Sequence, residues 1–261
     1  MLNLSTLNPP QYEAVVNYKG PTLILAGAGT GKTRAITYRI AYMLQNGIDP
    51  GYIAAMTFTN KAAREMRDRL TELAGKQAAK LSLGTFHGFC LKLLRTYHRE
   101  ANLPAKFSLV SSSEQVDLVR RALDEKMWHG LFNPASVHAA ISTAKNALLK
   151  PDQIVEDKEF KYTAQIDRDA LAEIYELYER QLRLNHAIDF DDCIFKLVKI
   201  LRAHPEVLAT LREKYKYLLV DEFQDTNMAQ FAILELIAGE HNNICVVGDD
   251  DQSIYSWRGA V

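Results

Sequence analysis

The stretch AGAGTGKT at residues 26–33 decides the fold, because of the elements that the sequence predicts on either side of it. The run TLILAG at 22–27 is rich in β-forming residues and predicts a strand, and residues 31–46 carry apolar side chains at helical spacing. Glycines between a strand and a helix let the backbone wrap around phosphate oxygens, and the helix N-terminus adds partial positive charge. The strict pattern has glycine where Ala26 stands, but the glycines that approach the phosphates most closely are kept. We therefore predict a loop that binds the phosphates of a nucleotide.

The predicted loop offers backbone N–H groups together with two useful side chains. Lys32 would reach the β and γ phosphates, and the hydroxyl of Thr33 would be a ligand of Mg²⁺. The residues that we expect to contact the nucleotide here are Gly27, Ala28, Gly29, Thr30, Gly31, Lys32 and Thr33.

Two carboxylates follow the apolar run YLLV at 217–220. Asp221 is placed to hold Mg²⁺ through water, and Glu222 is placed to orient or deprotonate an attacking water. Acids commonly end buried strands, so this pair is informative only in combination with the phosphate loop. Together they predict ATP hydrolysis, with ATP and Mg²⁺ as the cofactors.

Strands and helices alternate in the first third of the chain. Runs typical of buried strands at 52–58 and 80–86 are each followed by a helical pattern, and strand-like runs return at 217–222 and 244–249. This alternation predicts an α/β fold in which helices cover both faces of a parallel sheet.

The middle of the chain differs, because only helical periodicity is found from about 112 to 215. We therefore predict one discontinuous α/β domain at 1–88 and 191–261, interrupted by an all-helical subdomain at 89–190.

Composition limits the class of protein. The chain has 261 residues, of which 48% are hydrophobic, and its formal net charge of -1 neither predicts nor excludes a nucleic-acid partner. Its three cysteines form no CxxC pair, which argues against a disulfide framework or a zinc site and suits a reducing compartment. No signal peptide or membrane-spanning run is recognised. We expect a soluble, cytoplasmic protein.

The motifs along the chain resemble those of one family in kind and in order. Six stretches carry the resemblance: LNPPQYEAV (7–15), AGAGTGKTR (26–34), TFTNKAAREM (57–66), TFHGF (85–89), LLVDEFQDTN (218–227) and VVGDDDQSIYSWRGA (246–260). They are similar to the successive N-terminal motifs of superfamily 1 DNA helicases of the UvrD/Rep/PcrA type. FSLV (107–110) and DFDD (189–192) also resemble, more weakly, the second N-terminal subdomain of that family. The resemblance implies a RecA-like P-loop NTPase domain.

The resemblance also implies roles on the nucleotide side. Gln11 matches a glutamine that reads adenine, and Arg34 matches a residue that packs beside the base. Lys32, Thr33, Asp221 and Glu222 fall on the catalytic positions of the family. Gln252 matches a glutamine that senses the γ-phosphate and passes its state to the DNA side.

Further positions match residues that bind single-stranded DNA. Phe58, Tyr255 and Trp257 match aromatics that stack on bases or wedge between them, and Arg258 matches an arginine that links this loop to DNA. A core position is the alternative for Phe58, which continues a strand.

Two predicted turns between a strand and a helix are suited to holding DNA phosphates. The candidates there are Thr57, Thr59, Asn60, Thr85 and His87. A half-buried structural histidine is the alternative for His87.

The family further implies translocation from 3′ to 5′ on single-stranded DNA, in replication or in repair. Helicases of this type have a second RecA-like domain, which supplies arginines to the γ-phosphate. We expect this chain to be the N-terminal part, to need that C-terminal domain of the same protein, and to be monomeric. We expect it to hydrolyse ATP feebly and not to unwind a 3′-tailed duplex by itself.

Two other interpretations of the sequence stay open. The chain could be a P-loop ATPase that does not move on DNA, although such a protein has no need of the stretch SIYSWRG. It could also be a binding module for DNA or a partner in which the nucleotide is only structural.

Overall fold

The computed structural model describes residues 2–25, 27 and 31–249. The chain divides into two compact units. The first comprises Met1–Phe89, Leu201–Thr226 and Gln230–Val261, and the second comprises Cys90–Ile200 and Asn227–Ala229. The sequence-based boundary at residue 190 falls just before a helix that begins at Asp192, and the second unit continues through that helix as far as Ile200.

The secondary structure alternates early in the chain and becomes helical in the middle. The helices are α1 (Pro9–Val16), α2 (Lys32–Gln45), α3 (Asn60–Ala74), α4 (Phe86–Thr96), α5 (Ser112–Glu125), α6 (Pro134–Asn146), α7 (Pro151–Glu156), α8 (Arg168–Leu184), α9 (Asp192–Ala203), α10 (Pro205–Lys214) and α11 (Met228–Ala238). The strands are β1 (Thr22–Leu25), β2 (Ile53–Thr57), β3 (Ser82–Thr85), β4 (Ser108–Leu109), β5 (Ala187–Ile188), β6 (Tyr217–Val220) and β7 (Ile244–Gly248). Over the described ranges, no helix is both long and apolar enough to cross a bilayer.

Five of the described strands form one parallel sheet in the first unit, in the order β1-β7-β6-β2-β3. The predicted α/β fold with a parallel sheet is confirmed. Every residue of β2 is buried, as expected for a central strand covered on both faces. Because all five strands run the same way, the residues that follow β1, β6 and β7 emerge at the same edge of the sheet.

Helices α2 and α3 bury apolar faces in the core of this unit. Ala63, Met66 and Leu70 are the buried residues of α3, and their spacing is that of one helical face. They pack in the same apolar cluster as Ile36 and Ile40 of α2. The same cluster includes Ile53 and Leu219 of the sheet, so both helices pack against its strands.

The second unit is helical except for one short parallel pair, in which Ser108 and Leu109 of β4 lie beside Ala187 and Ile188 of β5. Helical periodicity did not reveal this pair, because each strand is only two residues long. Its core is formed by α5, α6 and α8 and includes Leu123, Ile141 and Ile174.

A charged network is buried within the second unit around Lys145, whose side chain has no exposed surface. Its Nζ lies 2.5 Å from Glu179 Oε1, 2.6 Å from Asp189 Oδ2 and 3.0 Å from Asp192 Oδ1. The three acids place carboxylate oxygens within 4.8 Å of one another, a spacing that a metal ion could span. Here the ammonium group of Lys145 provides the positive charge.

The pKa values follow from this geometry. Burial lowers the pKa of Lys145, but the negative charges of Asp189, Asp192 and Glu179 outweigh it, so the pKa lies well above its ordinary value. Burial raises the pKa of Asp189 to about 7, with the nearby charge of Asp192 adding to the effect and Lys145 opposing it. Lys196 lies 3.4 Å from Asp192 and 3.5 Å from Glu179, so two ammonium groups face three carboxylates. One proton taken up by Asp189 would therefore balance the charge.

Replacing Lys145 with methionine should destabilise the protein severely. The substitution keeps a similar volume but leaves buried carboxylates without their main partner, which typically costs about 3–5 kcal/mol of unfolding free energy. Urea unfolding followed by circular dichroism measures the change. Lys61→Met is the control, because Lys61 is 82% exposed and lies 3.9 Å from Glu65; it should leave the midpoint near that of the wild type. Equal midpoints for the two variants would contradict the role of the network.

The stability contributed by Asp189 should fall as the pH rises. Its pKa is raised from 3.8 to about 7 in the folded state, so between these values the folded protein binds more protons than the unfolded chain. The contribution of Asp189 to the free energy of unfolding should therefore decrease between about pH 4 and pH 7, with a slope of at most about 1.4 kcal/mol per pH unit. Urea unfolding at several pH values tests this.

The pH dependence should be weaker in Asp189→Asn, which cannot titrate at this position. Asp152→Asn is the control, because Asp152 is exposed and lies outside the network. The same pH dependence in the wild type and in Asp189→Asn would show that Asp189 has an ordinary pKa.

Candidate functional site

The start of α2 is shaped by Gly31. This residue caps the helix with φ at +90°, a left-handed conformation that favours glycine. A β-carbon at this position would lie only 2.8 Å from Gln11 Nε2. Gln11 is itself held in a capping box at the start of α1, because its backbone N–H donates to Asn8 Oδ1 (2.9 Å) and its Oε1 accepts from the Asn8 N–H (3.3 Å). The structure thus brings the predicted adenine-reading amide of Gln11 close to Gly31, the last glycine of the predicted phosphate loop.

The predicted loop is described in part. Gly27 is exposed and Gly31 begins the helix, whereas Ala28, Gly29 and Thr30 lie outside the described residues. Arg34 is half-buried in the first turn of α2, with its guanidinium carbon 5.4 Å from the centroid of the Tyr38 ring.

Lys32 is nearly buried at the first position of α2 and faces two carboxylates. Its Nζ lies 3.1 Å from Asp249 Oδ2 and 3.9 Å from Glu222 Oε2. Lys32 and Glu222, which were both predicted from the sequence as catalytic residues, therefore lie close together. Asp249 received no role there, because the order of β1 and β7 in the sheet cannot be read from one sequence.

Thr33 and Asp221, the predicted metal ligands, are in direct contact. The Thr33 hydroxyl donates to Asp221 Oδ2 over 3.1 Å. Burial raises the pKa of Asp221, and the negative charge of Glu222 raises it further, while the Thr33 hydrogen bond and Lys32 act in the opposite direction. A nearby cation would favour the ionised form of the Asp221 carboxylate. The hydroxyl and the carboxylate both offer oxygen ligands, which Mg²⁺ prefers.

Glu222 has an unusual backbone conformation for a residue with a β-carbon. Its φ of +55° and ψ of +45° are left-handed, and its N–H donates to Asp221 Oδ1 over 3.1 Å. Such a conformation typically costs about 1–3 kcal/mol and is often found at functional sites. The Glu222 carboxylate accepts a hydrogen bond from Gln224, a second residue that the sequence analysis left without a role.

Among the residues that the structure describes, the candidates for DNA binding lie in two neighbouring turns. Thr57 ends β2 and is paired in register with Thr85, which ends β3, so the following turns emerge side by side. Thr57 is fully buried and its hydroxyl donates to the Thr59 carbonyl over 3.1 Å. Each turn uses a hydroxyl to cap a helix, since Thr59 accepts from the Ala62 N–H and Thr85 accepts from the Gly88 N–H, both over 3.1 Å.

The remaining candidates differ in exposure. Asn60 is exposed at the start of α3, and His87 is half-buried in the first turn of α4. Phe58 is half-buried, with its ring centroid 5.7 Å from that of Phe86 and the planes tilted by 56°. Phe58 therefore combines a packing contact with an accessible part. Gln252, Tyr255, Trp257 and Arg258 lie outside the described residues.

Comparison with known proteins decides the family. Residues 7–261 match the family model described as the UvrD/REP helicase N-terminal domain. The chain belongs to this family. The resemblance drawn from the six sequence motifs is thereby confirmed.

Curated relatives of this UvrD/REP chain include several proteins named ATP-dependent DNA helicase PcrA. The relative from Staphylococcus aureus is 41% identical over 259 residues, which cover 98% of this chain and 35% of the relative. The relative from Bacillus subtilis is 40% identical with 34% of its length covered, and that from Staphylococcus epidermidis is 39% identical with 35% covered. The chain thus spans about a third of the length of these relatives.

Substituting alanine for Gly31 should separate backbone strain from the contact with Gln11. Gly20→Ala is the matched control, because Gly20 also has a positive φ (+78°), but a β-carbon added there would meet no atom within 4 Å. Both variants should lose about 1 kcal/mol of unfolding free energy through strain. Only Gly31→Ala should shift the Gln11 side-chain amide signal in the ¹H–¹⁵N NMR spectrum. An unmoved Gln11 signal in Gly31→Ala would contradict the close approach.

Proposed function

We propose that this chain is the ATP-binding and single-stranded-DNA-binding part of an ATP-dependent DNA helicase that translocates from 3′ to 5′. One observation carries the proposal: Lys32, Thr33, Asp221 and Glu222 come from separate stretches of sequence and meet at the carboxyl edge of one parallel sheet. In open parallel sheets, ligands bind at this edge. Membership of the UvrD/REP family and the names of the PcrA relatives support the same function.

The residue types at this site fit ATP bound together with Mg²⁺. ATP would supply the phosphoanhydride bond that is cleaved. Gly27, Ala28, Gly29, Thr30 and Gly31 would surround the phosphates with backbone N–H groups. Gln11 would hydrogen-bond adenine, and Arg34 would pack beside the base.

The proposed catalytic side chains have separate roles in ATP hydrolysis. Lys32 would exchange its contact with Asp249 for phosphate oxygens, and Thr33 with Asp221 would hold the metal. Glu222 would orient an attacking water and accept its proton. Gln252 is proposed to sense the γ-phosphate.

Single-stranded DNA would lie along the turns that follow β2 and β3. Phe58, Tyr255 and Trp257 are proposed to stack on bases, because aromatic faces accept bases with little regard to sequence. Arg258 is proposed to link this part to the DNA. The other proposed contacts are Thr57, Thr59, Asn60, Thr85 and His87, and their support is the paired register of Thr57 and Thr85.

We further propose that residues 1–88 and 191–261 act as a RecA-like domain and that 89–190 form its helical insertion. Complete activity on a 3′-tailed duplex would need a second RecA-like domain, which contributes arginines to the γ-phosphate. The length of the PcrA relatives, about three times that covered by this chain, supports this requirement.

Replacement of Lys32 by alanine tests nucleotide binding directly. Loss of the ammonium should weaken the affinity for a fluorescent ATP analogue at least about tenfold, since a buried charge–phosphate contact contributes strongly. Lys19→Ala is the control, because Lys19 is exposed; it should bind as the wild type does. Unchanged affinity in Lys32→Ala would overturn the proposed nucleotide site.

Binding of oligodeoxythymidine, and its effect on ATP hydrolysis, separates the helicase proposal from its alternatives. A motor component should bind the oligonucleotide and hydrolyse ATP faster in its presence. Hydrolysis without any binding of DNA would favour an ATPase that does not move on DNA. If the chain binds DNA and Lys32→Ala changes none of its activities, a binding module would be favoured.

A further inference from the structure

Gln224 lies between two parts of the candidate site that are distant in sequence. Its Nε2 donates to Glu222 Oε2 over 2.6 Å, and its Oε1 accepts from the backbone N–H of Asp249 over 3.1 Å. Glu222 follows β6 and Asp249 follows β7, so one amide connects the ends of two adjacent strands. Gln224 itself sits in the 3₁₀ turn Phe223–Asp225.

The backbone of β7 is close to this amide. A β-carbon at Gly248 would lie 3.2 Å from Gln224 Oε1 and 3.5 Å from the Gln224 backbone nitrogen. The first distance is tighter than nine in ten real β-carbon contacts, so a larger residue at 248 would require the amide to move by a few tenths of an ångström. Glycine at this position therefore allows the side chain to reach the N–H of Asp249.

An amide at residue 224 matches the hydrogen-bonding groups on both sides of it. The carboxylate of Glu222 is an acceptor, and the N–H of Asp249 is a donor. Glutamine offers one of each, at opposite sides of the same planar group. An ionised glutamate has no donor, so it would lose only the hydrogen bond to Glu222. Methionine has no donor and only a weak acceptor, so it would lose both hydrogen bonds.

The same contacts extend to Lys32 and complete a ring. Lys32 Nζ lies 3.1 Å from the Asp249 carboxylate and 3.9 Å from that of Glu222, while Gln224 joins these two residues on the other side. The orientation of the Glu222 carboxylate thus depends on the place of Asp249 as well as on Lys32. A displacement of Asp249 would move the Gln224 amide and would thereby change the orientation of the Glu222 carboxylate.

We propose that Gln224 is a positioning residue for ATP hydrolysis, which holds the carboxylate of Glu222 toward the reacting water and links it to the end of β7. This role rests on the proposed ATPase function of the chain. Gln224 acts through Glu222, so its loss should lower the rate of the chemical step and leave nucleotide affinity nearly intact.

Two substitutions of Gln224 test the two hydrogen bonds separately. In Gln224→Met both bonds are lost, so kcat should fall about tenfold or more, because a general base must be held within reach of its water. Hydrogen exchange of the Asp249 amide, followed by NMR, should become faster. In Gln224→Glu the acceptor for Asp249 remains, so exchange should stay slow, while repulsion between carboxylates should still lower kcat.

The controls distinguish positioning from a loss of structure. Gln77→Met is the matched control, because Gln77 is exposed on a different surface; it should keep wild-type kcat and Asp249 exchange. The dissociation constant of the fluorescent ATP analogue should change less than about threefold in both Gln224 variants, a separation of binding from turnover that misfolding would not produce.

The outcomes that overturn the role are specific. Wild-type kcat in Gln224→Met would overturn it, whether or not the Asp249 amide exchanges faster. Unchanged Asp249 exchange in that variant would show that the bond does not hold the end of β7. A wild-type chain that neither binds nor hydrolyses ATP would overturn the proposed function itself, and the role of Gln224 with it. An active wild type with unaffected Gln224 variants would overturn the role alone.

Discussion

The parallel pairing of β1, β7 and β6 is the constraint on which the candidate site depends. Leu25 pairs with Gly248 and Val220 pairs with Val246, so β1 and β7 end at the same level, and β6 ends two residues before β7 at the same edge of the sheet. Each strand is then followed by a residue or turn with a proposed role in the candidate site. Without this register, Lys32 at the start of α2 would not face acids that are about two hundred residues further along the chain.

Two lysines illustrate how burial changes the use of a charge. Lys145 has no exposed side-chain surface and is surrounded by three carboxylates within the second unit. Lys32 retains 9% exposure and lies beside two carboxylates at the edge of the sheet. Its position at the N-terminus of α2, after the predicted phosphate loop, would allow an anion to take the place of a carboxylate. Both sites therefore place a lysine ammonium group beside carboxylates, but only Lys32 is exposed enough to be reached from solvent.

Local patterns in the sequence predicted a large part of this structure. The glycine-rich stretch between a strand-like run and a helical run correctly indicated β1 and α2, because glycine spacing and hydrophobic periodicity depend on neighbouring residues. The pair Asp221 and Glu222 was likewise placed at the end of a strand, which is β6. The short pair β4 and β5 was missed, because two-residue strands have no measurable periodicity.

The sequence by itself determined the type of each main element, the phosphate-loop motif and the family, since all of these are written in short contiguous stretches. Only the tertiary structure decided which acids face Lys32, that Gln224 connects Glu222 to Asp249, and that Lys145 lies among Glu179, Asp189 and Asp192. The physical reason is that strand order and helix packing bring together side chains that are far apart in sequence. Hydrogen bonds and ion pairs depend on those distances in space, which local sequence patterns do not contain.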